Sequence, residues 1–299
     1  MFDGVLVMSG VRNVVRLDRR VPRWAAMLVA RLSQDRPEVL TRADLSAYLV
    51  EAGVIRDVEG AIRELVKLEW LRASRRKGVW LFVAPGETSV GDPYVELRSW
   101  AAHEGAVFAL AGEAAAWHLG YLDRRHEGRV AVWVPEGVVP PFGIRSLVSV
   151  VRLGWDAGMA KTVQPSRVLL RRRRLDLTDW ASRLPAFGPD ALLVQLAVRP
   201  SSFWPWMDLV AHLQQFTSDC DPSVVTALLD GKTVSAWQRA AYLLSVGGNS
   251  DAAAVVFEAR PKRGLSHVTF GDLGGGVHVR EFGVTDRLVV PLLAQVGKA

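Results

Sequence analysis

Between Pro22 and Val83 the sequence spells out three helices and a hairpin with their stop signals in place, and few folds accept that order. "PRWAAMLVARLSQ" opens on Pro22, whose fixed φ suits a first helical turn, and carries apolar residues at helical spacing to about Ser33. "DRPEVL" breaks the helix at Pro37. In "TRADLSAYLVEAG", Thr41 is an N-cap, Asp44 is the acid of a capping box, and Gly53 is a C-terminal stop. Asp57 then caps "VEGAIRELVKLEW", in which Val58, Ala61, Ile62, Leu65 and Leu68 share one face. Two β-prone runs follow, Leu71–Ser74 and Val79–Val83, joined by "RRKG" and closed by Pro85 and Gly86.

That is the element order of a winged helix-turn-helix. In such a unit the second and third helices pack through their apolar faces, which holds the third at an angle that fits a DNA major groove. The hairpin would bring Arg75, Arg76 and Lys77 to the adjacent backbone or minor groove, with Gly78 supplying the turn conformation. Trp80 and Phe82 are expected to face the helices, and Val79 and Leu81 the other side. Glu59, Gly60, Arg63, Glu64 and Lys67 point away from the apolar stripe of the third helix, and Arg56 lies just before it. Arg63 is placed to read a guanine edge and Lys67 to meet a phosphate, while Glu59 and Glu64 work against a strongly basic surface. Arg42 is either a phosphate contact or a solvated helix-start residue. The arm carrying Arg12, Arg16, Arg19 and Arg20 is open between a minor-groove arm and a strand. A solvated basic turn, and a winged helix that contacts protein, are the plainer alternatives.

At 299 residues the chain is long enough for two domains. The expected architecture is α+β: a winged helix-turn-helix over 1–87 and a larger mixed α/β domain over 88–299. The sequence pI near 9.8 says less than it suggests. Six lysines against abundant Arg, Ala, Val and Gly are the mark of GC-rich coding, so placement matters more than total. Residues 1–87 hold 15 basic and 11 acidic side chains, a net of +4, and the rest of the chain holds 22 and 20, a net of +2. The positive excess is concentrated in the first third, where a nucleic-acid footprint is expected.

The other function classes find little support. The single cysteine, Cys220, leaves no disulfide framework or cysteine-rich zinc site, and the carboxylates of Asp219 and Asp221 beside it oppose thiolate formation. No two of the six histidines stand at i, i+4, and His118 on an alanine-rich face is expected to be a packing residue. Phosphate loops, nucleophile elbows and dinucleotide fingerprints are missing. Nothing in the spacing of Glu258, Asp272 and Glu281 demands a metal-dependent nuclease. No enzyme, metal or cofactor is therefore expected. No uncharged apolar run approaches ~18 residues, and Asp3 opposes a secretory signal, so a reducing cytoplasm is the expected compartment.

From Thr88 onward the pattern mixes helices with short strands. Helices are expected near Val95–Glu104 and Gly112–His118, and a strand in "GRVAVWVPEG" with Val130, Val132 and Val134 on one face. Leu147–Leu153 and Arg167–Leu170 read as strands. "DLTDWASRL", "GPDALLVQLAVR", "FWPWMDLVAHLQQF", "DPSVVTALLD" and "VSAWQRAAYLLSVGG" read as helices, and "LSHVTFG", "GGGVHVREFG" and "RLVVPLL" as strands. If extended, Arg171, Arg172, Arg173 and Arg174 place two arginines on each side, either for phosphate or an acidic partner or for ion pairs to Asp176 and Asp179. Trp204 and Trp206 are core residues on the plain reading and a partner-binding patch on the sharper one.

"VFALAGEAAAWHLGYL" after the hairpin, followed by a valine-rich strand, resembles the AbiEi-class antitoxins of type IV toxin–antitoxin systems. Gly112, Ala114, Ala115, His118, Gly120 and Leu122 stand at the places of that family's small-residue helix, although Tyr121 interrupts its Gly-Leu pair. Arg239, Leu243, Leu244 and Gly247 match a late helix of the family. The resemblance covers roughly 22–135 and 237–290 and fades between them. It implies a repressor that binds double-stranded DNA at its own promoter and neutralises a nucleotidyltransferase-fold toxin through its C-terminal domain. A homodimer on the DNA is expected separately, because two half-site contacts give useful affinity. A one-component regulator with a small-molecule-binding C-terminal domain is the alternative.

Overall fold

The structure, a computed structural model, describes residues 20–37, 39–83, 93–102, 106–173, 184–262, 264–272 and 276–296. Arg12, Arg16, Arg19, Arg174, Asp176 and Asp179, named above, and nearly all of "DLTDWASRL" lie outside these residues. The chain divides into two compact units, Met1–Asp92 and Pro93–Ala299.

In the first unit, α1 (Ala26–Asp35), β1 (Leu40–Thr41), α2 (Arg42–Glu51), α3 (Val58–Lys67), β2 (Leu71–Ala73) and β3 (Val79–Phe82) follow one another. The caps are local and complete. Thr41 Oγ1 accepts the Asp44 N–H at 3.2 Å and the Asp44 carboxylate accepts the Thr41 N–H at 2.8 Å. Asp57 accepts the Gly60 N–H at 2.8 Å and opens α3. The strands form an antiparallel sheet in the order β1-β3-β2. Leu28, Leu32, Leu45, Leu49, Ile62 and Leu65 make the core, and Trp80 and Phe82 pack on it from the sheet. Val79 and Leu81, on the other strand face, are buried as well.

The second unit begins with α4 (Pro93–Ala101), β4 (Ala109–Leu110), α5 (Gly112–His118), β5 (Val130–Trp133) and β6 (Val148–Val151). β5 runs antiparallel to β4 and parallel to β6. It is buried on both faces, and alternation sends its side chains to two different cores. Val130, Val132 and Val134 join Leu97, Trp100 and Phe108, whereas Ala131 and Trp133 join the larger helical core. That larger core is built on α7 (Pro189–Val198), α10 (Pro222–Leu229), α11 (Val234–Val246) and α12 (Ser250–Glu258), with α7 and α12 both packed on α11. α6 (Arg167–Arg172) precedes this group, and α8 (Trp206–Ala211) and α9 (Leu213–Ser218) lie within it. A last sheet, β7 (Val268–Phe270), β9 (Val284–Asp286) and β8 (Val277–Val279), in that order, is followed by α13 (Val289–Val296).

Three expectations are corrected. Arg167–Leu170 is helical, because Ser166 accepts the Leu169 N–H at 3.1 Å and caps α6 while Leu169 and Leu170 turn inward. "RLVVPLL" is helical because Asp286 takes the N–H groups of Leu288, Val289 and Val290, overriding the β-branched composition. "FWPWMDLVAHLQQF" is two helices that break at His212. The segment after Gly248 forms the helix α12, opened by Asn249 accepting the Ala252 N–H. α11 does stop at Gly247, where a Cβ would lie 2.4 Å from Thr217 Cγ2, so only glycine fits that contact.

Candidate functional site

The basic residues of the first unit fall into two groups. At the hairpin tip, Gly78 has φ of +78°, Arg75 and Lys77 are exposed and Arg76 is half-buried. Ser74 holds the turn, donating its N–H to Val79 O at 3.0 Å and accepting the Arg76 N–H at 3.1 Å. Arg63 and Lys67 are exposed on α3, and Arg63 Nε bends back to Glu59 O at 3.4 Å. Neither Lys67 nor Lys77 has a hydrogen-bond or ion-pair partner among the described residues.

Arg42 and Arg56 are engaged within the unit. Arg42 Nε lies 3.1 Å from Glu59, joining the starts of α2 and α3. Arg56 lies 2.6 Å from Glu64 and stacks its guanidinium 4.3 Å from the Trp24 ring centroid, while Trp24 Nε1 donates to Glu64 at 3.0 Å. Glu59 and Glu64 are therefore matched by cations, and the repulsion expected of them is reduced. The Arg42–Glu59 pair is exposed, and such pairs are worth about 0–1 kcal/mol, so a phosphate competes with it readily.

The arginine run of the second unit serves a different purpose. Arg172 and Arg173 both pair with Asp219, 47 and 46 residues away. The Asp219 and Arg173 side chains are 8 % and 9 % exposed, so this pair is interior. Tyr121 donates its hydroxyl to Asp219 Oδ2 at 2.9 Å, and Arg173 lies 4.4 Å over its ring. Tyr121 is the residue that interrupts the expected Gly-Leu pair, and here it is fully buried at the hub of the network. Among the described residues of the run, Arg171 and Arg172 stay at the surface, and they lie in α6, not in the extended conformation that would put alternate arginines on opposite sides.

Burial pushes the Cys220 thiol up first, helped by the Asp190 and Asp219 carboxylates, which works against thiolate formation. Burial also pushes Asp190 up to about 6, against the lowering effect of the backbone N–H groups of Asp221 and Asp190 itself, and the Asp221 and Asp219 charges add to the rise. The sign follows: the stability held by protonated Asp190 is full below its ordinary value and lost as pH rises through about 6. Asp190→Asn keeps an acceptor for the Asp221 N–H. It should be about 2 kcal/mol more stable than wild type above neutrality and level with it below about pH 4, as read by urea denaturation across pH.

His118 is buried, and burial pushes it down to about 2, which keeps it neutral. His267 and His278, eleven positions apart in sequence, stack with ring centroids 5.2 Å apart and both bond Thr285 Oγ1. Helical-spacing arguments missed this pair because β7, β8 and β9 bring it together. Among the described residues no three His, Cys, Asp or Glu side chains form a metal-binding group, and no helix is long and apolar enough to cross a membrane.

Residues 106–246 match the AbiEi antitoxin C-terminal domain, a span that includes α6 to α10, where the sequence resemblance had faded. This part of the chain is an AbiEi-class antitoxin domain. The chain is also similar over nearly its whole length to a solved structure, that of the RV2827C protein from Mycobacterium tuberculosis. The two share 47% identity at a TM-score of 0.81, over 94% of this chain and 97% of that one. No curated protein matches the sequence.

Proposed function

We propose that this antitoxin is a DNA-binding autorepressor whose first unit is a winged helix and whose second unit neutralises a nucleotidyltransferase-fold toxin without catalysing a reaction. One observation carries the DNA part. Arg63, Lys67, Arg75 and Lys77 are exposed on two successive elements, α3 and the β2–β3 turn, while the neighbouring acids are occupied by Arg42 and Arg56. In this reading α3 enters the major groove, Arg63 reads a base edge, and Lys67 and the turn neutralise phosphates. A dimer would place two such units on half-sites about one helical turn apart.

The test is binding to the DNA upstream of the gene, followed by fluorescence anisotropy across a salt series against a scrambled duplex. Wild type should prefer the native duplex. The Arg75/Arg76/Lys77→Ala triple variant should bind more weakly, its log–log salt slope flatter by about 0.9 for each phosphate it no longer neutralises. Weak binding that is equal on both duplexes and unchanged by the variant would refute the repressor reading.

A further inference from the structure

The second unit holds a guanidinium half in the interior with no carboxylate to balance it. Arg239, on α11, is half-buried. Its Nε donates to Thr269 O at 3.2 Å and its Nη1 to Ala197 O at 3.3 Å. These carbonyls, one on β7 and one in the last turn of α7, fix the planar head and leave some of its N–H groups over. Among the described residues Arg239 has no ion pair. Burial lowers its pKa from the ordinary arginine value, yet the group stays charged at any physiological pH. A cation that is partly desolvated and met only by neutral acceptors is completed by an anion.

Arg239 lines a pocket of about 470 Å³ where α11, β7 and the segment after α7 meet. Arg199, just past the end of α7, lines it as well, and it is exposed with no ion pair among the described residues. Ser201 and Thr269 are in the same wall, and their hydroxyls have no hydrogen-bond partner among the described residues. Asp272 completes the polar lining without pairing with either arginine. The segment after α7 is held in place: buried Trp206 donates Nε1–H to Pro200 O at 2.9 Å, and Ser202 Oγ donates to Arg199 O at 2.8 Å.

The lining selects the ligand. The volume falls within the roughly 300–1,000 Å³ of clefts that take whole small molecules, and a lone oxyanion would not fill it. Two arginines outweigh one aspartate, so the pocket attracts anions. A pair of guanidiniums suits the doubly charged phosphate of a monoester better than a singly charged carboxylate. Asp272 repels a second anionic group, which disfavours a polyphosphate or a nucleic-acid backbone. It accepts hydroxyl protons instead, as Ser201 and Thr269 also can.

We propose that this pocket binds a small phosphate monoester bearing hydroxyl groups, a sugar phosphate in chemical class. Arg239 and Arg199 hold the phosphate, and Asp272, Ser201 and Thr269 take the hydroxyls. The site lies wholly within the second unit and depends on neither the repressor reading nor a toxin.

The experiment is calorimetric titration of the full chain with ribose-5-phosphate, inorganic phosphate and malate, using wild type, Arg199→Glu and Arg239→Gln, with Tm read alongside. Wild type should bind the ester about tenfold more tightly than either other probe, and saturating ester should raise its Tm. Arg199→Glu alters an exposed side chain, so its Tm without ligand should match wild type while its affinity for the ester falls about tenfold or more. Arg239→Gln should abolish binding; if that variant also loses its fold, Arg199→Glu decides alone. No binding of the ester by wild type, or equal affinity in wild type and Arg199→Glu, would overturn the site. Inorganic phosphate binding as tightly as the ester would overturn the hydroxyl contacts, and malate binding more tightly than the ester would overturn the phosphate assignment.

Discussion

Asp219→Ala should cost the second unit about 3–5 kcal/mol, because it leaves the interior Arg173 guanidinium without its counter-ion. Of the two arginines on Asp219, Arg172 is 59 % exposed and can return to water, so its loss contributes little. Arg173 cannot do so without leaving the Tyr121 ring and opening the core around Phe216, which packs edge-on to Tyr121 at 5.1 Å. The Tyr121 hydroxyl loses its acceptor in the same step. Urea denaturation followed by circular dichroism measures the loss, and at this domain size it corresponds to a fall in Tm of roughly 10 °C. Asp219→Asn, which keeps acceptor oxygen but not the charge, should fall between the two. A loss below about 1 kcal/mol for the alanine variant would mean that Arg173 rehydrates, and the arginine run would again be available at the surface.

The second large effect is at Asp286, which is fully buried. Its carboxylate accepts the Tyr242 hydroxyl at 2.7 Å and the N–H groups of Leu288, Val289 and Val290 at 2.8, 2.9 and 2.6 Å. Asp286→Ala strands four donors at once, and with each unsatisfied group costing about 1–3 kcal/mol, a total near 4 kcal/mol or more is expected. Hydrogen exchange separates this from a general loosening. Amide protection should vanish first across α13, whose opening turn depends on this carboxylate, and later in α11, which holds Tyr242. Retained protection in α13 would mean that Pro291 and helix packing, not the cap, hold that turn.

The N-terminal unit was largely legible because its signals are short-range. Thr41 with Asp44, Asp57 with Gly60, and Gly78 at the turn all act across three residues or fewer, so their chemistry is readable without knowing the fold. The alternation of β5 was legible for the same reason, although the sequence named only the valine face. That Ala131 and Trp133 feed a second core required knowing that helices cover the other side of the sheet. α6 and α13 were misread as strands because short Val/Leu runs such as those in "RVLL" and "RLVVPLL" do not distinguish a short buried helix from a strand.

The sites show the same division. That α3 and the "RRKG" turn carry cations can be read from residue type and periodicity. Which cations stay outward cannot: Arg42 and Arg56 look like Arg63 in sequence, and only the packing of α2, α3 and Trp24 brings Glu59 and Glu64 to the first two. The sequence by itself determined the helix caps, the turns, the apolar faces and the concentration of positive charge in the first third, since each depends on neighbours a few bonds away. The tertiary structure alone decided the pairing of Arg173 with Asp219, the burial of Trp206 with Trp204 left outside, and the capping of α13 by Asp286. Those outcomes depend on which distant groups share a low-dielectric interior, where a charge or a polar group must find a partner or go without.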